Sequence, residues 1–392
     1  MILDIVMSPY IACTVRNFLL IVVVAWGLVL AHSTAEGQQL RGQLSGWNNL
    51  QNMDDDEINL NIGVRYLPEF TYGLMSQSPY TMDVELSANT YGSYNSDREE
   101  MTRDLKPYRL WARFATHQFE SRIGLQKINF GPAKLLRSLM WFDRLDPRDP
   151  LQLTDGVYGL RLRYDFENLS SIWLWGLYGA GETKGLEFAP TRDRSLEYGG
   201  RLNYPLGPGE VGLTTHHRTV DPSLQPVLAL TGTHIPESRI ALDGIWDVGV
   251  GVWFESALIH ADYSSAALDW QSFQTVGMDY TLPFGNGLYL LGEHMLFTMS
   301  DVPFDLNERV QTSGVMASYP IGWLDQVALY SIYNWDANLA YHYLSWQRTY
   351  DQWVIYLGAY AITGEGEFPS FAGREMGELG EHGMQIMVIF NH

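Results

Sequence analysis

Polar and apolar side chains alternate along most of this chain with a period of two. The clearest example is TMDVELSANTY, residues 81–91, whose apolar face consists of Met82, Val84, Leu86 and Ala88. A β-strand sends successive side chains to opposite faces, so this pattern predicts a strand with one apolar wall and one hydrated wall. The segment EINLNIGVRY repeats the same pattern.

The alternation recurs to the C-terminus and predicts eighteen strands, with sixteen as the alternative count. Each run is about ten residues long, the length that a tilted strand needs to cross the hydrocarbon layer of a bilayer. The predicted strands begin near Leu40, Glu57, Tyr80, Pro107, Phe119, Gly156, Leu169, Ser195, Gly209, Ser238, Val248, Leu268, Gly287, Glu308, Leu324, Asn338, Gln352 and Gly380. The fold class predicted is all-β: a transmembrane antiparallel up-and-down β-barrel with lipid outside and water inside.

The predicted connections favour this barrel, because they alternate between long and short as membrane barrels require. The short set is 117–119, 165–168, 205–210 and 282–287. The long set is 92–106, 129–155, 180–194, 220–237 and 363–379. One connection departs from the rule, because residues 67–79 fall on the side of the short connections and are predicted to form a long loop.

Residues 1–35 are predicted to be a cleaved secretory signal peptide. Arg16 precedes the apolar run FLLIVVVAWGLVLA, and Ser33 and Ala35 occupy the −3 and −1 positions of a signal-peptidase site. The alternative is a retained membrane helix, but this run is shorter than the roughly 20 apolar residues that span a bilayer. The mature chain, residues 36–392, is predicted to form one barrel domain.

Charge and cysteine content exclude several classes of function. The net charge of −20 argues against nucleic-acid binding. The only cysteine, Cys13, precedes the apolar run of the signal, so the mature chain would have no disulfide, thiolate metal site or c-type haem attachment. We therefore expect no cofactor and no metal.

Catalytic signals in the sequence are weak. The chain has no G-x-S-x-G, H-E-x-x-H or P-loop motif. His216 and His217 are adjacent on a predicted strand, so they face opposite ways and cannot bind one metal together. Ordinary solvated or interfacial histidines explain them, and we expect that the protein is not an enzyme.

Aromatic residues, 13% of the chain, are frequent at predicted strand ends. Tyr and Trp favour the headgroup layer, where membrane barrels carry two aromatic girdles. The predicted girdle residues are Tyr66, Tyr80, Tyr91, Tyr108, Tyr164, Tyr204, Trp246, Tyr280, Tyr319 and Trp335. The alternative architecture is a soluble β-sandwich or propeller, but a propeller would repeat a motif about every 40 residues and none is present.

With its signal, its alternating strands and its last strand MQIMVIF, the chain resembles the outer-membrane porin-type barrels of Gram-negative bacteria. The segments RIGLQKINFG and LDPRDPL are similar to the strand and turn of alginate-export-like and related porins. In classical porins the third outside loop folds into the lumen as a constriction, and here the third outside connection, residues 129–155, is the longest. Asn391 and His392 follow Phe390 and depart from the family's terminal aromatic residue. The resemblance implies a barrel in contact with outer-membrane lipid.

Strand parity predicts five arginines on the inner wall beside this loop. They are Arg109, Arg113, Arg122, Arg161 and Arg163. An arginine on the lipid face costs about 2–4 kcal/mol at the bilayer midplane, which supports the inward assignment. Arg201 and Arg218 extend the row on later strands. A row of positive charge attracts anions, so it predicts selectivity in the lumen.

The candidate constriction loop mixes both signs of charge. Its candidate pore-lining residues are Lys134, Arg137, Asp143, Arg144, Asp146, Arg148 and Asp149. The piece LLRSLMWF predicts a short helix against the wall. Two interpretations are open: the charges form a selectivity zone, or the arginines pair with loop aspartates and with inward acids such as Asp83 and Glu85 and simply fix the loop in place.

Two functions are compatible with these features. The first is a channel for passive diffusion of small hydrophilic solutes, with a preference for anions predicted by the arginine row. The second is a barrel sheath that houses a partner, such as a periplasmic multihaem cytochrome in an electron conduit. Assembly into a homo-oligomer and assembly with a periplasmic partner protein are both left as alternatives.

Overall fold

The computed structural model is a closed barrel of eighteen antiparallel strands. It describes residues 38–52, 58–75, 79–143, 149–179, 182–224, 235–262, 269–305, 307, 309–364 and 381–392. The signal-peptide prediction therefore lies outside the described residues. The predicted fold class and the predicted count of eighteen strands are confirmed.

The strands follow one another around the barrel in chain order, and the last pairs with the first to close it. In chain order they are β1 Gln38–Asn52, β2 Ile58–Met75, β3 Thr81–Asn95, β4 Glu100–Ala115, β5 Phe119–Gln126, β6 Val157–Asp165, β7 Ser171–Tyr178, β8 Leu196–Leu206, β9 Gly209–Val220, β10 Ile235–Asp247, β11 Gly251–Ala261, β12 Trp270–Leu282, β13 Leu288–Ser300, β14 Arg309–Ile321, β15 Asp325–Asn334, β16 Leu339–Thr349, β17 Trp353–Thr363 and β18 His382–Asn391. A 3-10 turn, Pro222–Leu224, follows β9. Within the described part of the chain, no helix is long and apolar enough to cross a bilayer.

The two ends of the barrel differ in the length of their connections. At one end, the short-turn end, every connection holds between two and five residues. At the other, the long-loop end, the connections include 127–156, 179–195, 221–234 and 364–381. The predicted alternation of short and long connections is thus present.

The structure removes the one exception to that alternation. Residues 67–79 were expected to form a long loop, but β2 continues to Met75 and pairs with β1 through Pro68 and on to Tyr72. Pro68 lacks a backbone N–H, yet the ladder continues on both sides of it. The connection that remains on this side is short.

The predicted long connection 92–106 is also wrong. β3 extends to Asn95 and β4 begins at Glu100 rather than at Pro107, so only a tight turn joins them. A register shift at Ser87/Ala88 changes which side chains of β4 face outward. The alternation of side chains before this irregularity therefore does not predict which side chains face outward after it.

Exposure along the strands agrees with the predicted faces. Leu86, Leu110 and Ile123 are 45%, 45% and 59% exposed and point outward. Asp83 and Asn89, on the other face of β3, are 9% and 5% exposed and point inward. The apolar faces of the strands therefore form the outer wall and the polar faces form the lumen.

Aromatic side chains are exposed near both ends of the barrel. Tyr80, Tyr164, Tyr204 and Tyr280 are exposed near the short-turn end, as predicted for a girdle. Tyr91 is an exception, because its ring lies inside the barrel beneath the guanidinium of Arg65.

Candidate functional site

The connection between β5 and β6 folds into the barrel instead of standing above it. β5, β6 and β7 contain 8, 9 and 8 residues, against 18 in β2, so this connection leaves the wall low in the barrel. We call its described part, residues 127–143, the inner loop. Leu139 and Trp141 of the inner loop are 1% exposed and pack with Phe273 and Met295 of the opposite wall.

Two carboxylates of that wall hold the inner loop by its backbone. Glu293 accepts hydrogen bonds from the backbone N–H groups of Lys134, Leu135 and Leu136 at 2.7, 2.9 and 2.6 Å, and from Trp253 Nε1 at 3.1 Å. A carboxylate offers several lone pairs to such donors, so one side chain can replace a missing strand partner.

Glu255 holds the same loop at two further points. It accepts the N–H groups of Ala133 and Leu139 at 2.9 and 3.0 Å. Gly131 lies so close to the Glu255 carboxylate, with a backbone φ of +90°, that a side chain would collide there. The inner loop is therefore fixed by backbone contacts and shape.

The side chain of Lys134 reaches from the inner loop to the wall. Its ammonium donates to Asp279 at 2.6 Å and to the Tyr289 hydroxyl at 2.9 Å. Partial burial lowers the pKa of Lys134, but the hydrogen bonds to Asp279 and Tyr289 outweigh this and raise it above that of a free lysine. Lys134 is therefore positively charged in the lumen at neutral pH.

A second segment, residues 182–191, also packs inside the barrel, and we call it the second inner loop. It contacts the inner loop through a backbone hydrogen bond from Leu186 N to Met140 O at 3.0 Å. Its Glu187 pairs with Arg218 at 3.1 Å and with Arg239 at 2.9 Å. Both arginines also pair with Glu237 at 2.6 Å.

The side chains of this ion-pair network are buried. Its members are Lys184, Glu187, Glu197, Arg218, Glu237 and Arg239, and their side chains are between 0% and 15% exposed. The network contains three cationic and three anionic side chains, so its formal charges sum to zero. Buried charges persist only when they are paired and hydrogen-bonded in this way.

His216 belongs to this network. It accepts a hydrogen bond from Trp175 Nε1 through Nδ1 at 3.2 Å, and its Nε2 lies 3.1 Å from Glu197. His217 points outward to Ser238, so the two histidines face opposite ways as predicted. The interpretation of His216 as a solvated histidine is wrong, because its side chain is fully buried.

A second set of charges lies on the inner wall of β3–β6, and we call it the arginine cluster: Asp83, Arg113, Glu120, Arg122 and Arg161. Glu120 contacts three guanidiniums, those of Arg113 and Arg122 at 3.5 Å and that of Arg161 more closely. Arg113 also pairs with Asp83 at 2.9 Å. Three guanidiniums thus share two carboxylates.

Aromatic rings hold these guanidiniums as well. Arg122 lies 4.4 Å from the centre of the Trp111 ring. Arg161 and Arg163 each lie 5.2 Å from the centre of the Trp173 ring on the neighbouring strand. A ring attracts a guanidinium without neutralising its charge, so the cluster retains positive potential.

The structure brings together only part of the predicted site. Arg113, Arg122 and Arg161 form the arginine cluster, whereas Arg163 pairs with Asp165 at 2.8 Å nearer the short-turn end. Arg109 is buried and donates to the Thr154 carbonyl at 2.9 Å. It therefore fixes the returning end of the long connection.

The charged residues of the connection mostly serve its own conformation. Arg137 and Asp143 are buried and pair with each other at 3.4 Å. Asp149 accepts the backbone N–H groups of Leu151 and Leu153 at 2.9 and 3.2 Å. Arg144, Asp146 and Arg148 lie outside the described residues.

The predicted helix in LLRSLMWF is wrong, because this piece consists of bends and one turn. Its backbone N–H groups are satisfied by Glu255 and Glu293 across the lumen instead of by a helix. Wall carboxylates therefore override local helical periodicity.

Sequence reasoning missed several residues that organise the lumen, four of which hold the inner loops or the arginine cluster. They are Glu120, Glu255, Glu293 and Arg239. Strand parity would have placed each on an inner face. Glu255, Glu293 and Arg239 have partners on irregular loops far away in sequence, so parity alone gives the direction of these side chains but not their role.

The described residues contain no group of three or more histidines and acidic residues arranged to hold a metal ion. The lumen holds two packed loops on one side and the more exposed arginine cluster on the other.

Solved outer-membrane porins have the same fold. OccK5 (OpdH) from Pseudomonas aeruginosa aligns at a TM-score of 0.58 with 10% identity, over 92% of this chain and 99% of that chain. OccAB4 from Acinetobacter baumannii aligns at 0.56 with 9% identity, over 92% and 99%. OmpF from Salmonella typhi aligns at 0.51 with 9% identity, over 91% and 97%.

No protein-family model and no curated protein sequence matches this chain. At such low identity the structural likeness establishes the fold alone. The predicted resemblance to the porin-type barrels of Gram-negative bacteria is therefore confirmed for the architecture.

Proposed function

We propose that this protein is a channel of the Gram-negative outer membrane through which small hydrophilic solutes diffuse passively. The observation that carries the proposal is the closed barrel with an apolar outer wall and a polar inner wall. A closed barrel satisfies every backbone group without water, which a membrane-spanning chain requires. Sixteen to eighteen strands are wide enough to leave an aqueous path.

The inner loop supports a channel of limited width. It crosses from the β5–β6 wall to Glu255 and Glu293 on β11 and β13 and fills that side of the lumen. The path that remains for solutes is the side of the lumen that the arginine cluster lines. This arrangement favours a size-limited pore over a wide one.

The proposed preference of the channel is for anions. In the arginine cluster the Arg113 and Arg122 side chains remain 31% and 20% exposed. Asp83 and Glu120 offset two of the three positive charges and Glu85 also interacts electrostatically with Arg122, so the attraction is weaker than an unpaired row would give. A charge at a narrow, low-dielectric passage still dominates the field that an ion meets.

Planar-bilayer recording tests this function. The purified, folded protein should give discrete conductance steps, and a salt gradient should give a reversal potential of the sign expected for anion preference. Absence of steps from a correctly folded barrel would contradict the channel. A reversal potential of the opposite sign would contradict only the anion preference.

The inner loops argue against the alternative of a barrel sheath around a partner such as a multihaem cytochrome. Both loops pack on the inner wall and occupy volume that a protein inside the barrel would need. We therefore prefer the channel.

A further inference from the structure

The ammonium group of Lys134 lies among three side chains of the wall near the short-turn end. We call these three, Trp253, Asp279 and Tyr289, the ammonium cage. Asp279 lies three residues before the end of β12, and Trp253 and Tyr289 lie two residues and one residue after the starts of β11 and β13. β12 pairs with both of these strands, so the three side chains are neighbours on the wall.

The cage faces the lumen and not the lipid. Met278 and Leu290, which are adjacent in sequence to Asp279 and Tyr289, are 53% and 37% exposed and point outward. Successive side chains of a strand alternate between the two faces, so Asp279 and Tyr289 point inward. Lipid headgroups on the outer wall are therefore excluded from the cage.

The contacts of Lys134 show what the cage recognises. The Lys134 Nζ atom lies 5.1 Å from the centre of the Trp253 ring and 5.4 Å from that of the Tyr289 ring, and it donates to Asp279 at 2.6 Å. The face of an aromatic ring attracts an ammonium ion, and a nearby carboxylate adds a charge-assisted hydrogen bond. Two rings and one carboxylate thus surround one ammonium group.

Two glycines make room for this arrangement. Gly277 is opposite Trp253 on the neighbouring strand, and a side chain at Gly277 would collide with the indole ring. Gly251 is opposite Asp279, and a side chain at Gly251 would collide with the Asp279 carboxylate. Glycine at both positions lets the ring and the carboxylate approach the backbone of the next strand.

The cage is held together without help from Lys134. Trp253 Nε1 donates to Glu293 at 3.1 Å, and the Tyr289 hydroxyl donates to Asp279 at 2.7 Å. Both bonds join residues of the wall to each other. A site that is ordered before its ligand arrives loses less entropy on binding, so the cage is preorganised for a cation.

The Lys134 side chain is replaceable in the cage. Its backbone N–H bonds to Glu293 at 2.7 Å, so the inner loop stays in place when the side chain moves. The side chain is 45% exposed, and such an exposed ion pair contributes little net stability. A lysine ammonium is a compact charge on a flexible four-carbon chain, which a small alkylamine reproduces.

We propose that the ammonium cage binds the ammonium group of small alkylamines that enter the lumen, in competition with Lys134. The cage is separate from the arginine cluster, which lies on β3–β6. The inference rests on the proposed function, because a solute reaches an inward-facing site through an aqueous lumen. Equilibrium binding to the purified barrel is measured without conduction, so the two can fail separately. Conductance without amine binding would refute only the cage, and amine binding without conductance would refute only the channel.

Isothermal titration calorimetry with n-butylammonium chloride tests the proposal. The folded protein is kept in a nonionic detergent, and sodium chloride holds the ionic strength constant so that general screening by cations does not contribute. The wild type should bind n-butylammonium weakly and saturably. A tethered ammonium competes at an effective concentration on the order of millimolar, so Lys134→Ala should bind the amine about ten-fold more tightly. An absence of saturable binding to the wild type, or equal affinity in the two proteins, would overturn the proposal.

Two further variants separate the cage from general attraction to an acidic barrel. Asp279→Asn, added to Lys134→Ala, removes the carboxylate and should abolish the gain in affinity. Asp247→Asn on the same background is the matched control, because Asp247 is an exposed carboxylate at the same end of the barrel, and it should keep the gain. Heat-modified migration establishes that each variant is folded. A gain that survives Asp279→Asn, or that Asp247→Asn removes equally, would contradict the cage.

Discussion

The inner walls of β8–β14 and of β3–β6 use the same residue types but differ in their contact with water. On the first wall Arg218, Arg239 and Glu237 have side chains that are 1%, 2% and 3% exposed. On the second wall Arg113 and Glu120 are 31% and 20% exposed. The first wall carries two packed loops, and the second borders the remaining space.

This difference in exposure gives the two groups of arginines different roles. A buried ion pair contributes little net stability compared with apolar packing, but it becomes costly when one partner is removed. An exposed pair is screened and contributes little either way, although its field reaches passing ions. We therefore expect charge changes on the filled wall to alter structure and charge changes on the open wall to alter selectivity.

The largest effect is expected for Glu187→Ala in the buried network. Arg218 and Arg239 then share only Glu237, which leaves one buried positive charge without a partner. Breaking such a pair costs about 3–5 kcal/mol. Urea unfolding in vesicles, followed by tryptophan fluorescence, measures this loss. The control Glu187→Gln keeps hydrogen bonding but removes the charge, so it should show how much of the loss in unfolding free energy is electrostatic. An unchanged urea midpoint for Glu187→Ala would mean that this network does not stabilise the filled wall.

Glu293→Ala should have the next largest effect. It leaves the N–H groups of Lys134, Leu135 and Leu136 without their acceptor. An unpaired buried donor costs about 1–3 kcal/mol, so part of the inner loop should leave the wall and stability should fall by about 2–4 kcal/mol. Because the loop narrows the lumen, single-channel conductance should change measurably and become noisier.

Glu293→Gln is the matched control, since its amide oxygen still accepts from the loop. It should lie between the wild type and Glu293→Ala in both conductance and stability. Identical traces for wild type and Glu293→Ala would contradict an inner loop that shapes the permeation path.

The sequence predicts the barrel far better than it predicts these two walls. Alternation places most strand starts within a few residues of their observed positions because register in a barrel is set by which face meets apolar surroundings. It fails where a bulge changes the parity, as at Ser87/Ala88. It also fails for contacts across the lumen, such as Glu293 with the inner loop, because no local pattern records which wall a loop will reach.

On the open wall, Arg113→Ala should change selectivity more than stability, because its side chain is 31% exposed. Each exposed charge near an ion's path is worth about 1 kcal/mol at 4 Å in water. A change of that size lowers the ratio of anion to cation permeability about five-fold. Reversal potentials in a salt gradient measure the shift.

Two controls sharpen this result. Glu120→Gln removes a carboxylate from the same cluster and should move the reversal potential the other way. Arg348→Ala removes an arginine that pairs with Asp325 on the outer face and should leave it unchanged. If Arg348→Ala shifts the reversal potential as far as Arg113→Ala does, the field of the whole protein rather than the cluster sets the selectivity.

The smallest effect is expected for Lys134→Met, at the boundary between the two walls. The Lys134 ammonium pairs with Asp279 and is 45% exposed, so its loss should cost less than about 1 kcal/mol. Its backbone N–H still bonds to Glu293, so the inner loop should stay in place and the conductance step should not change. The lumen loses one positive charge, which should shift the reversal potential slightly toward cations at low salt. In about 1 M salt the screening length falls to roughly 3 Å and this shift should vanish. A large change in conductance would instead mean that the ammonium, and not the backbone, holds the loop.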